Sequence, residues 1–209
     1  MVKWLLSRLL ICVLTHSLQA AEQKRSGEAI FGTSKVVSLH LTLDAKQFAA
    51  LTPAGGGGGF GGFGGFGPPG FGAPRKPTEG THRNTFGVEF PWVKGSLTHD
   101  GKTYNDVGIR YKGNYTYMAA SQSLKKSLKL DFDKHIKGQK IDGLTKLNLH
   151  SGVSDQTLTR ESLSYAYFRT AGVPAPRTSL AEVTLTVPGK YDREFVGVYT
   201  LVEQVNKGF

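Results

Sequence analysis

The side chains in this sequence best suited to chemistry are cations, and their spacing suits phosphate. Val107-Gly108-Ile109-Arg110-Tyr111-Lys112-Gly113-Asn114 reads as a strand running into a Gly-Asn turn, with Arg110 and Lys112 on one side of it. Such a turn presents backbone N–H groups, and two basic side chains beside it make a cover for phosphate oxygens. Further on, Ser127-Leu128-Lys129-Leu130-Asp131-Phe132 puts Leu128, Leu130 and Phe132 on one strand face and Ser127, Lys129 and Asp131 on the other. Glu161 lies within a helical stripe of Leu158, Ser162, Tyr165 and Phe168 instead of among solvent-facing positions. A carboxylate held there needs a partner, because an unpaired buried charge is costly. The candidates are Lys126 and Lys129, with strand parity favouring Lys129. A strand lysine held by a helix glutamate is a device for gripping the α and β phosphates of a nucleotide.

The loop taken by itself is weak as a phosphate motif, since it has neither Walker spacing nor repeated glycines. Asp131-Phe132-Asp133 precedes the helix and reads as strand-end carboxylates. No Gly-x-Ser-x-Gly elbow or His-Glu-x-x-His run offers another active site. His40, His82, His99, His135 and His150 are scattered singly and read as surface or core residues rather than ligands.

The elements that must position these groups follow from alternation and punctuation. Lys35 to Leu43 alternates as a strand, and Asp44 can cap a short helix through Phe48 to Leu51. Order resumes at Thr85–Val93. Asp100-Gly101 marks a hairpin leading into a strand from Val107 to Tyr111. Thr145–His150 alternates as well, and the one clear helix spans Gln156 to Thr170, with Ser154 or Asp155 at its start, Gly172 at its end and Pro174 beyond. Strands over Ala181–Val187 and Phe195–Val202 join around Pro188-Gly189. The fold class is therefore α+β, a mostly antiparallel sheet with one main helix.

Four segments are expected. Residues 1–20 carry Lys3 and Arg8, an apolar run from Leu9 to Leu14 and a small residue at Ala20, the order of a secretory signal peptide. The apolar run falls short of the roughly 20 residues that span a bilayer. Residues 21–54 hold the first strand and short helix, 55–84 a Gly/Phe/Pro-rich flexible loop, and 85–209 the main domain. From Gly55 to Gly72 the chain steps through Phe60, Phe63, Phe66 and Phe71 among glycines, whose ordering entropy opposes packing. Of 26 Lys+Arg and 16 Asp+Glu, the leader takes two cations and no acid, which leaves a net charge of +8. It also takes Cys12, the only cysteine, so disulfides and thiol chemistry are excluded from the mature chain. The charge suits acidic partners, and no helix-turn-helix or paired aromatic motif accompanies it to point to nucleic acid.

The blocks Arg110-Tyr111-Lys112-Gly113-Asn114, Lys126 to Phe132, Gly143 to Leu149, Arg160-Glu161, Gly172-Val173-Pro174-Ala175-Pro176-Arg177-Thr178 and Gly197 to Val205, in this order, resemble the CotH family from about Thr85 to Phe209. Its spore-coat members are atypical protein kinases. The resemblance implies the N-terminal lobe of such a kinase and an ATP-dependent, Mg²⁺- or Mn²⁺-assisted transfer of phosphate to protein Ser or Thr. It implies that Arg110, Lys112, Gly113 and Asn114 cover phosphates, that Lys126 or Lys129 ligates them, that Glu161 orients the lysine, and that Glu203 to Val205 supply hinge-like backbone to the base. The acids that hold metal and place the acceptor would follow the hinge, so the domain reads as truncated at its C-terminus, with no catalytic acid assigned. A secreted or envelope location and a protein substrate or coat protein as partner are implied; the alternative is a non-catalytic envelope or coat-associated module.

Overall fold

A computed structural model of the chain describes residues 25–53, 77–85, 87–120 and 122–205. The leader and the Gly/Phe segment at 55–72 lie outside the described residues. The elements are β1 (Val36–Thr42), α1 (Ala45–Ala50), β2 (Thr81–Arg83), β3 (Glu89–Pro91), β4 (Val93–His99), β5 (Lys102–Tyr111), α2 (Tyr115–Ala119), β6 (Leu128–Asp131), β7 (Lys146–His150), α3 (Arg160–Thr170), β8 (Thr178–Val187) and β9 (Tyr191–Glu203). Seven strands close into a barrel in the order β1-β4-β5-β6-β7-β9-β8, while β2 and β3 form a separate hairpin. Thr81–Arg83, which composition assigns to the loop, is thus a strand.

The α+β reading with a mostly antiparallel sheet holds: every barrel pairing is antiparallel except β1 with β8. Closure was not anticipated. Alternate side chains fill the interior, among them Leu39, Leu97, Ile109, Leu130, Leu147, Leu149, Val183, Tyr199 and Leu201, each almost wholly buried. The β4–β5 turn forms at Asp100 (φ 48°) and Gly101 (φ 71°), the left-handed pair that a two-residue hairpin requires. Asp44 caps α1, its Oδ1 accepting from the Gln47 N–H at 2.7 Å.

The main helix is shorter than the sequence suggests. Residues 151–159 form an irregular turn in which Leu158 takes φ 57°, and α3 begins only at Arg160. Asp155 still serves the helix start, because its Oδ2 accepts from the Arg160 N–H at 2.9 Å. Gly172 (φ 78°) lies just past the C-terminal end, as expected. Leu158 is therefore off the helix, and no α3 residue is fully buried; Leu163, Tyr167 and Phe168 are exposed.

Candidate functional site

Strand register gathers the cations on the barrel exterior. Arg110 of β5 faces Lys129 of β6, Lys129 faces Asn148 of β7, and Asn148 faces Val202 of β9. Ile109, Leu130, Leu147, Leu149 and Leu201 point inward, so period-two alternation sends their neighbours outward to one continuous row. Lys112 and His150 stand two positions along the same face, beside Arg110 and Asn148 respectively.

This exterior row is partly covered. Arg110 is 5 % exposed and its guanidinium lies 5.0 Å from the Trp92 ring. Its Nη1 donates to the Tyr111 carbonyl at 2.9 Å, and its buried Nε has no partner. The β2–β3 hairpin is tied down nearby by the Asn84 amide, which donates to the Gly113 carbonyl at 2.9 Å. His82 on β2 feels the charges of Arg110, Lys129 and Lys112, which, after burial, hold its pKa below the usual histidine value.

The lysines engage side-chain amides and an imidazole. Lys112 Nζ donates to Asn148 Oδ1 at 3.2 Å and lies 2.8 Å from His150 Nε2. Lys129 Nζ donates to Gln204 Oε1 at 2.6 Å, and Asn148 Nδ2 reaches the same oxygen at 3.3 Å. Among the described residues, no carboxylate lies within ion-pair distance of Arg110, Lys112 or Lys129. Burial, followed by the charges of Lys129 and Arg110, brings Lys112 down to about 8. Burial alone takes Arg110 to about 10, and burial with Arg110 and Lys146 lowers Lys129.

Glu161 sits at the first turn of α3 and faces this row, but not through the expected lysine. Both its oxygens lie 2.9 Å from His150 Nδ1. Burial alone would raise its pKa; the His150 hydrogen bond and charge, the Tyr165 hydroxyl and Lys112 together hold it below the usual carboxylate value. The pairing of Glu161 with Lys126 or Lys129 is thus corrected to a chain Glu161–His150–Lys112. The reason is register: Lys129 stands level with Asn148, two residues short of His150. Lys126 lies over the ring of Tyr111, a side chain of interior parity, at 5.8 Å, and its ammonium bonds the Ser123 carbonyl.

The remaining predicted positions divide. Gly113 (φ 111°) and Asn114 lead into α2 beside Lys112, and a Cβ on Gly113 would run into the Thr116 hydroxyl. The Glu203 side chain pairs with Arg177. Arg177 Nε donates to its carboxylate at 2.9 Å, and its backbone N–H donates to the Arg177 carbonyl at 3.0 Å. Val205 is exposed. Asp131 pairs with Lys146 at 3.5 Å and Asp133 accepts from the Gly138 N–H at 2.6 Å, in keeping with their reading as strand-end carboxylates.

Sequence reasoning missed His150, Asn148 and His82, and gave Gln204 a backbone role without its side-chain bonds to Lys129 and Asn148. The signal for the first two was present, since Lys146, Asn148 and His150 alternate with Leu147 and Leu149 and so had to share the exterior face.

A search of curated proteins finds no match to this chain. Residues 109–209, which run from the end of β5 through the whole cation row and α3, match the family model described as CotH kinase protein, and over that segment the chain is CotH-like.

Proposed function

We propose that the exterior face of β5, β6 and β7 holds the phosphates of ATP, and that the chain is the nucleotide-binding front of an exported protein Ser/Thr kinase. The observation that carries this reading is three substantially buried cations, Arg110, Lys112 and Lys129, on one sheet face with no carboxylate partner among the described residues. Burying cations without counter-charge opposes folding, and a polyphosphate supplies the missing charge together with acceptors for the spare donors. Those donors are the orphaned Arg110 Nε, one N–H of Lys112 and two of Lys129.

ATP would contribute the transferable γ-phosphoryl group, and the cations would offset charge on its oxygens. The Gly113-Asn114 turn would lie beside the phosphates, as a cover that only glycine can form at that φ. The family description supports a kinase over other phosphate-binding functions. Mg²⁺ or Mn²⁺ would arrive with the nucleotide. Among the described residues no group of three His, Cys, Asp or Glu side chains is arranged to hold a metal, so no step is assigned to one. The basic charge favours an acidic surface or acidic protein partner at the cell envelope.

Isothermal titration of the purified protein with ATP, ADP and adenosine tests the reading. Affinity is expected to fall in that order, and Arg110→Ala or Lys129→Ala to weaken ATP binding about tenfold. Adenosine binding as tightly as ATP, or ATP failing to bind, would refute it.

A further inference from the structure

We propose that His150 is the positioning residue of this phosphate site: it carries the hold of Glu161 on α3 across to Lys112 on β5, and so makes Lys112 the lysine that meets phosphate. The inference rests on the phosphate-binding reading of this face and goes beyond it by assigning an order to the residues.

Hydrogen-bond roles fix the arrangement. A carboxylate only accepts, so with both Glu161 oxygens 2.9 Å from Nδ1, that nitrogen carries a hydrogen. Nε2, 2.8 Å from Lys112 Nζ, then shares a single proton with the amine, accepting from the ammonium when Lys112 is charged. Asn148 Oδ1 holds the same ammonium from a second direction at 3.2 Å, and the Tyr165 hydroxyl steadies the carboxylate from within α3. Two bonds locate the Lys112 nitrogen and leave one N–H for a ligand.

An imidazole between carboxylate and amine has a consequence that a direct pair lacks. An intervening imidazole transmits orientation through its two nitrogens and holds the carboxylate a ring's width farther from the cation than a direct pair would. The charged and titratable groups facing Lys112 are Lys129, Arg110 and, through His150, Glu161, with His82 on the covering hairpin. Lys129 has a different hold, a single bond to the Gln204 amide, and Lys126 is turned toward Tyr111.

Two substitutions separate positioning of Lys112 from anchoring of α3. In His150→Gln the amide oxygen takes the place of Nε2 and can accept from Lys112. In His150→Asn the amide nitrogen takes the place of Nδ1 and can donate to Glu161, while Lys112 is released. ATP titration is expected to show His150→Asn weakened about tenfold or more and His150→Gln within about threefold of the parent. Equal losses, or the reverse order, would show that His150 serves the helix and would overturn the proposal.

A ligand-free arm decides the relay independently. Long-range ¹H–¹⁵N spectra of the unaltered protein are expected to show His150 protonated at Nδ1, and a neutral ring with its hydrogen on Nε2 alone would overturn the relay whatever the protein binds. Failure of the unaltered protein to bind ATP, with Nδ1 protonated, would sink the phosphate reading and leave only the geometry of the relay standing. Should either variant lose its fold, the Nδ1 assignment in the unaltered protein still decides.

Discussion

Lys112 is where stability and function pull against each other. Its pKa, brought to about 8 from 10.5 chiefly by burial, means that the folded protein holds fewer protons than the unfolded chain between those two values. Stability contributed at this residue therefore rises as pH climbs from about 8 to 10.5, and below about 8 the buried charge carries its full cost. On the proposed phosphate reading, affinity runs the other way, because the folded protein loses this cation as pH rises through about 8. Lys112→Met keeps the stem and removes the charge. Its thermal midpoint at pH 7 is expected to exceed that of the parent, with the gap shrinking between pH 8 and 10, and its ATP affinity to fall at least about tenfold. Paired melts of the two proteins across that pH range check the sign; a variant less stable at pH 7 would show that Lys112 is a structural donor to Asn148 and His150 rather than a reserved ligand. The partner of Glu161 was not legible from the sequence for a related reason. Seeing that His150, and neither Lys126 nor Lys129, meets Glu161 requires knowing which residue of β7 stands opposite each strand position, and a shift of two residues changes the answer.

At the scale of elements, local signals were legible where local chemistry decides. The Asp100-Gly101 hairpin, the alternation of β1, β6 and β7, the Asp44 cap and the Gly172 stop were all written in adjacent residues. The start of α3 was not, because Gly152, Val153 and Ser154 lead into a turn whose geometry depends on Leu158 adopting a left-handed conformation. Helix α3 buries none of its side chains fully, so its attachment rests on a few polar ties: the Asp155 cap, the Glu161–His150 contact and the Arg169 guanidinium on the Pro176 carbonyl. Asp155→Ala is expected to release the first turn of the helix, Glu161 with it, while the barrel stays folded. Amide exchange should accelerate over residues 160–163 and remain slow in β5 and β9. Uniform acceleration across the barrel strands would mean that α3 is integral to the core.

On the scale of the whole molecule, the long-range closure of the barrel had no sequence signature. His40 on β1 and Thr184 on β8 are bonded at 2.8 Å across 144 positions, and nothing local to either strand announces a parallel partner so distant. Closure has a consequence for the CotH-like segment at 109–209, which contains β6 to β9 but lacks β1, β4 and most of β5. The missing strands give the interior Val37, Leu39, Leu41, Val93, Leu97, Tyr104 and Val107. At about 1.5–3 kcal/mol for each buried side chain, their loss exceeds roughly 10 kcal/mol. That is comparable to the whole stability of an ordinary domain, about 5–15 kcal/mol. It would also bare the edge of β8, to which β1 is paired along its full length from Val36 to Thr42. The fragment 109–209 is therefore expected to show no cooperative thermal transition by circular dichroism, and 77–209, which restores β4 and β5 but not β1, to be soluble only poorly. The full chain should unfold in a single transition. Cooperative unfolding of 109–209 alone would show that the cation row can be presented by an open sheet, and that β1 and β4 are additions to the site's scaffold rather than parts of it.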